Sequence, residues 1–176
     1  MQNLENLDLQ QYGEFTRFIP TEGRMSLGWG ETDPTLGSDL KKLDASAKSD
    51  FYRCCVAAVW MFQGFLDESH SISQEIDTSE GSYLHGIMHR REGDYSNAKY
   101  WFRKARVNSF FPKIDSWAQS DPQIDDSTRQ SLIPFDATSL VDAVESQKSG
   151  NESLERLTFY ELLAVFDHCF DKACGN

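Results

Sequence analysis

The 176-residue sequence predicts an all-α fold. Three observations indicate this class. Apolar residues recur at helical spacing in most of the long segments, no comparable stretch alternates apolar and polar residues as a half-buried strand does, and glycine or aspartate stands where such helices would end or begin. At this length the chain can bury a sizeable core without disulfide bonds or structural metals. We therefore expect a compact bundle of about six helices.

The N-terminal part of the chain differs from the rest. Its segment "IPTEGRMSLGWGETDPTLGSD" is rich in glycine and has no helical period, although a short helix is expected near "LDLQQYGEFTRF". The sequence therefore predicts an irregular arm over residues 1–44, packed on the outside of an all-helical domain over residues 45–176.

The next segment, "SAKSDFYRCCVAAVWMFQGFLDESH", predicts the central helix of the domain. Its apolar residues cover almost the whole circumference of a helix, which is typical of an element buried on all sides. We expect this helix over residues 51–65. Its two adjacent cysteines are predicted to be reduced and to fill the core, because their spacing fits neither a secreted disulfide framework nor a zinc motif.

A helical hairpin is predicted over residues 83–107. Gly93 suits the left-handed position after the first helix, and Asp94 suits the N-cap of the second. Further on, a short helix is expected after Pro112, then a helix capped by Asp136, and last a helix over "NESLERLTFYELLAVFDHCFDKACGN".

The small and aromatic residues of the hairpin follow a recognisable spacing. The positions are Gly86, Ala98, Phe102 and Ala105, with Pro112 a little further on. In this the hairpin resembles a single tetratricopeptide repeat, a resemblance that implies two closely packed antiparallel helices. Aligned this way, His85 and His89 point towards the partner helix. No second copy follows at the period of about 34 residues that this repeat has, so the hairpin is expected to be a packing motif rather than part of a solenoid.

A longer resemblance covers residues 65–105. The segments "DESH", "HRRE-D" and "NAKYWFR" are similar to those of a family of uncharacterised bacterial and fungal proteins. That family has no established activity, so the resemblance implies no catalytic role. It does bring His70 into the same unit as His85 and His89.

These three histidines are the candidate metal ligands. His85 and His89 are four residues apart and lie one above the other on a helix, and His70 comes from a neighbouring helix. Neutral imidazole is the commonest metal ligand, and catalytic zinc sites keep three protein ligands and one open position. The three histidines are therefore candidate ligands of a divalent transition metal such as zinc, and the open alternative is that they are hydrogen-bonded residues of the packed hairpin. The zincin motif is absent, because "HGIMH" has glycine where the general-base glutamate would be.

The hairpin also carries a local excess of positive charge. Its six basic residues against two acidic ones give a net charge of +4 in a chain whose total is −11. Guanidinium groups bind carboxylates and phosphates through paired hydrogen bonds, so Arg90, Arg91 and Arg103 are candidate contacts for an anionic small molecule or an acidic protein segment. The open alternative is that these side chains pair with the acidic helices of the protein itself.

Charge and hydropathy argue against other classes of partner. A strongly acidic chain repels a phosphate backbone, so nucleic acid is not an expected partner. No apolar run is long enough to cross a bilayer, and the polar, acidic start of the sequence does not resemble a signal peptide, so we expect a cytoplasmic protein without a membrane partner. Two functions stay open: a small-ligand or metal site on the central hairpin, and a module without catalysis that binds an acidic partner through the basic hairpin face.

Overall fold

A computed structural model of the protein describes residues 8–44, 49–147 and 150–175. These parts of the chain are helical and contain no strand, which confirms the all-α class. They form one 3₁₀ helix, Leu9–Phe18, and nine α-helices. The α-helices are α1 (Pro34–Asp44), α2 (Asp50–Phe62), α3 (Leu66–Ser73), α4 (Ser79–Glu92), α5 (Tyr95–Ala105), α6 (Phe111–Ser120), α7 (Asp126–Leu132), α8 (Ala137–Gln147) and α9 (Glu152–Cys174).

The prediction of about six helices is wrong, because several helices are too short to show a period in the sequence. Helices α3 and α7 have only eight and seven residues. Helix α1 begins inside the segment that looked irregular, where the Asp33 carboxylate accepts a hydrogen bond from the Thr35 amide at the helix start. The predicted central helix ends at Phe62, and α3 begins as a separate helix after a turn at Gly64, whose φ is 79°.

The core forms around α2 and α9. Every residue of α2 from Cys54 to Phe62 is buried, as the apolar circumference predicted. Helix α9 packs against α2, and most of its 23 residues are buried as well. The three cysteines at positions 54, 55 and 169 lie in this core, and all four cysteines of the chain are free thiols.

The N-terminal residues add aromatic side chains to the same core. Tyr12, Phe15 and Phe18 of the 3₁₀ helix are almost fully buried, and the hydroxyl of Tyr12 donates a 2.6 Å hydrogen bond to Asp167 of α9. Tyr12 also meets the ring of Phe166 edge to face, with 5.0 Å between centroids. Residues 8–18 are thus attached to the helical bundle by buried contacts.

The hairpin of α4 and α5 turns where the sequence predicts. Gly93 adopts the left-handed conformation, with a φ of 90°, and the Asp94 side chain accepts a hydrogen bond from the Asn97 amide at the start of α5. Gly86 allows the two helices to approach, because a Cβ atom at this position would lie 2.9 Å from the ring of Phe102.

The connection between α3 and α4 fixes His70 relative to the hairpin. The Thr78 side chain caps α4 by accepting a hydrogen bond from the Gly81 amide at 3.1 Å. Gly81 packs directly on Ile76, so that a Cβ atom would lie 2.5 Å from the Ile76 carbonyl oxygen. This contact is with backbone, which cannot move aside as a side chain can.

We expect Gly81→Ala to lower the free energy of unfolding by about 1–2 kcal/mol. The contact with backbone places the overpacking cost at about 2–3 kcal/mol, the upper part of the usual range, and a gain of about 1 kcal/mol in helix propensity offsets part of it. Urea denaturation measures the change. Gly86→Ala is the matched comparison and should cost less, since the ring of Phe102 can shift. A Gly81→Ala protein as stable as the wild type would contradict the close contact with Ile76.

Candidate functional site

The three predicted histidines come together in the structure. His85 and His89 lie one turn apart on α4, and their rings stack with 4.6 Å between centroids and 18° between planes. His70 of α3 lies 4.8 Å from the ring of His85 and 5.3 Å from that of His89. One ring nitrogen from each of the three residues lies within 4.8 Å of the others. His89 is buried and contacts Asn97 of α5, which agrees with the prediction that its side chain points towards the partner helix.

The histidine cluster lies at the edge of the core. His85 and His89 are only 5% and 6% exposed, whereas His70 is half-buried and gives the cluster contact with solvent. Trp101 of α5 stacks on His85, with 4.1 Å between ring centroids, and the ammonium group of Lys104 lies over the indole ring. The sequence did not indicate Trp101 as part of the site, and its contact with His85 was missed.

Burial keeps His85 neutral. Removal from water, together with the smaller effects of the neighbouring His89, His70 and Lys104, lowers the pKa of His85 to about 4. A neutral imidazole has one nitrogen with a free lone pair, which is the form that binds metals.

Hydrogen bonds orient His89. Its Nδ1 lies 2.6 Å from a carboxylate oxygen of Glu92, and its Nε2 lies 3.0 Å from the side-chain nitrogen of Asn97. A neutral His89 that donates from Nδ1 to Glu92 accepts at Nε2 from the Asn97 amide. A carboxylate behind a histidine in this way fixes the tautomer and makes the opposite nitrogen a better ligand.

His85 has a ring nitrogen without a partner. Among the described residues, its buried Nδ1 makes no hydrogen bond. Leaving a buried polar atom unsatisfied costs about 1–3 kcal/mol, so such atoms are uncommon and often mark a function. Stacking on Trp101 and His89 fixes the plane of the ring but does not satisfy this atom.

A second group of metal-ligating residues overlaps the first. His89, Glu92 and Asp94 also bring one ligand atom each within 4.8 Å of the others. Asp94, however, already caps α5 and accepts a hydrogen bond from the Ser96 hydroxyl, and Glu92 contacts His89. The three histidines are the better candidate site, because His85 contributes an unpartnered nitrogen.

Arg90 and Arg91 of the predicted ligand set are instead bound to other parts of the protein interior. The guanidinium of Arg90 is 1% exposed and forms an ion pair with Glu161 of α9, which also accepts a 2.8 Å hydrogen bond from the Tyr83 hydroxyl. Arg91 donates to the backbone carbonyls of Gly28 and Met61. Burial, with a smaller effect of the neighbouring Arg90, lowers the pKa of Arg91 to about 9.

The remaining cations of the hairpin differ in whether an acidic side chain lies within ion-pair distance among the described residues. Lys99 of α5 forms an ion pair with Asp142 and lies 4.0 Å from Glu145, both on α8. The alternative that the basic residues pair with the protein's own acids therefore holds for Arg90 and Lys99. Arg103 is exposed and lines a cavity together with Arg106.

Comparisons of the chain with protein-family models, with curated proteins and with solved structures found no match. None of the helices in the described ranges combines the length and the apolar character needed to cross a membrane.

Proposed function

We propose that the chain binds a divalent transition-metal ion through His70, His85 and His89. The observation that carries this proposal is the convergence of three imidazole nitrogens within 4.8 Å, one of the three rings having a buried nitrogen with no hydrogen-bond partner among the described residues. A metal ion bound at this nitrogen would remove the cost of its burial.

The donor set favours zinc or a similar borderline ion. Three neutral imidazoles suit zinc, copper and nickel, whereas calcium and magnesium need oxygen ligands. Zinc held by three histidines keeps a fourth position for water or an anion, and the half-buried His70 leaves one side of the cluster near solvent. Glu92 supports this arrangement by accepting from His89, as carboxylates commonly do behind a ligating histidine.

The hydrogen bond between Asn97 and His89 competes with metal binding. Its amide contacts Nε2 of His89, so a metal that uses this nitrogen replaces one hydrogen bond between neutral groups, worth about 0.5–1.5 kcal/mol. Metal affinity should therefore rise modestly in Asn97→Ala.

Binding of an acidic partner through the basic hairpin face is the weaker proposal. Arg90, Arg91 and Lys99 use their charges or donors within the protein. Among the described basic residues of the hairpin, Arg103, Lys104 and Arg106 remain to form such a surface. The ammonium group of Lys104 already lies over the indole ring of Trp101.

Zinc binding of EDTA-treated protein tests the metal proposal. We expect one zinc ion per chain by elemental analysis after dialysis, and a rise in melting temperature with added zinc, because a ligand that binds only the folded state stabilises it. His89→Phe should weaken binding at least 10-fold in competition with a chelator. The aromatic replacement fills the same space, so the variant should stay folded.

The fourth histidine of the chain provides the matched control. His168 pairs with Glu80 on the far end of α4 and belongs to no cluster of three ligands among the described residues. His168→Gln should bind zinc as tightly as the wild type. The spectrum of the cobalt(II) form should show nitrogen ligands without a thiolate band, which excludes binding at the exposed Cys174. Failure of zinc, copper, nickel and cobalt to bind stoichiometrically would refute the proposal.

A further inference from the structure

A cavity of about 350 Å³ lies where α4, α5 and α8 meet the start of α6. Its lining includes Arg103 and Arg106 and the aromatic residues Tyr83, Phe102 and Phe111, of which Phe111 is half-buried and the other two are buried. Sites for small molecules are typically concave and mainly apolar, with a few polar groups that fix orientation, and about 300–1,000 Å³ in volume. This cavity is at the small end of that range and combines an aromatic surface with two guanidinium groups.

The two arginines differ from the other cations of the hairpin. Arg103 and Arg106 are exposed, and neither guanidinium group forms an ion pair or hydrogen bond with any residue in the described ranges. In a chain with a net charge of −11, two neighbouring arginines that lack an acidic partner in the described part of the chain are unexpected. Guanidinium groups in such a position bind carboxylate or phosphate oxygens through paired hydrogen bonds.

The backbone at Arg106 supports a functional role. Arg106 ends α5 in the left-handed conformation, with φ 52° and ψ 22°, and it is the one described residue other than glycine with a positive φ. Glycine or asparagine is the usual residue at this position of a helix end. Strained residues of this kind concentrate at ligand sites.

Asp136 determines which end of the cavity receives the anion. Its carboxylate also lines the cavity, but it accepts hydrogen bonds from the Thr138 hydroxyl at 2.6 Å and from the Ser139 amide at 2.7 Å. The negative charge of Asp136 repels an anionic group from the start of α8. The anionic group therefore belongs beside Arg103 and Arg106, and the rest of the ligand against Phe111, the least buried of the three aromatic residues.

We propose that this cavity binds a small molecule that carries a carboxylate or phosphate group on a flat apolar body. The site is separate from the histidine cluster, since Tyr83 and His85 are two residues apart and face opposite sides of α4. Of the three arginines predicted from the sequence as anion contacts, this proposal keeps Arg103, omits Arg90 and Arg91, and adds Arg106.

Calorimetric titration of the full chain, in EDTA to keep metals out of the histidine cluster, tests this proposal. Phenyl phosphate and phenylacetate are the probes, and inorganic phosphate and acetate are the matching anions without an apolar body. We expect one of the aromatic probes to bind one to one, at least 10-fold more tightly than its matching anion. Arg103→Gln/Arg106→Gln should weaken that binding at least 10-fold.

Two further variants separate binding from folding and from net charge. Arg106→Gly removes the guanidinium and relieves the left-handed backbone, so it should melt at or above the wild-type temperature while binding the aromatic probe more weakly. Arg24→Gln/Arg53→Gln makes the same change in net charge outside the cavity and should bind within twofold of the wild type. The proposal is overturned if Arg103→Gln/Arg106→Gln binds the aromatic probe as tightly as the wild type. It is also overturned if neither aromatic probe binds the wild type at millimolar concentration.

Discussion

Replacing Arg90 by methionine is expected to lower the free energy of unfolding by about 3–5 kcal/mol. Arg90 and Glu161 are 1% and 0% exposed, and each is the main charged partner of the other between α4 and α9. The substitution leaves the Glu161 carboxylate buried without its cation, which costs far more than the loss of a surface ion pair. The Tyr83 hydroxyl would still donate to this carboxylate, but one neutral hydrogen bond offsets little of the free-energy cost of burying an unpaired charge.

Urea denaturation of three variants separates the charge effect from a loss of packing. The triple variant Arg90→Met/Glu161→Leu/Tyr83→Phe removes all three polar groups together and should recover at least half of the lost stability, since buried ion pairs are often replaceable by apolar residues. Arg53→Met, in a surface pair with Asp50, should cost less than about 1 kcal/mol. If Arg90→Met changes stability no more than Arg53→Met, the ion pair with Glu161 is not structural.

The sequence could predict helix ends and long helices, because the residues that determine them lie close together in the chain. The helix ends at Gly93, Asp94 and Asp136 depend on residues within one turn, and the periodic segments of α2 and α9 are long enough to show a buried face. Short helices such as α3 and α7 could not be predicted in this way, because two turns contain too few apolar positions to define a period.

The partners of the two adjacent arginines could not be predicted, because they come from distant parts of the chain. Arg90 meets Glu161, 71 residues away, and Arg91 meets the carbonyls of Gly28 and Met61. Nothing in the local pattern "HRRE" distinguishes an arginine that faces solvent from one that crosses the core. The tertiary packing of α4 against α9 and of the N-terminal segment against α2 decides the role of both residues.

The contacts of His89 with Asn97 and of His85 with Trp101 could have been predicted from the sequence. His89 and Asn97 stand four residues before and after Gly93, and His85 and Trp101 stand eight residues before and after it. In a tight antiparallel hairpin, residues equally distant from the turn lie at the same level, which explains both contacts. The same rule would have added Asn97 and Trp101 to the candidate site once Gly93 was placed at the turn.

The metal proposal and the lowered pKa of His85 share one physical cause. His85 lies in a partly dry environment beside two other imidazoles, so its protonation adds a charge that burial and the neighbouring rings oppose. A metal ion needs the same nitrogens in neutral form. Lowering the pH should therefore weaken zinc binding and, in the metal-free protein, weaken the fold.

We expect the metal-free protein to lose stability as the pH falls from about 6.5 towards 4, and His85 to account for about 2–3 kcal/mol of that loss at pH 4.5. The sign of this pH dependence follows from the direction in which the pKa of His85 is shifted. The pKa of His85 is about 4 in the folded protein, below its ordinary value of 6.5, so between these values the unfolded chain binds a proton that the folded chain does not. The stabilisation is complete above the unfolded pKa and is lost as the pH falls through this window.

His85→Phe isolates this effect from the titration of carboxylates. Phenylalanine keeps the stacking on Trp101 and removes both the titration and the unsatisfied Nδ1, so the variant should equal or exceed the wild-type stability at pH 7. Urea denaturation in EDTA at half-unit steps between pH 7 and pH 4.5 gives the stability of both proteins. Their difference should grow by about 2–3 kcal/mol across this range, in favour of the variant. Parallel curves would mean that His85 binds its proton as readily in the folded protein as in the unfolded chain, which its burial between Trp101 and His89 does not allow.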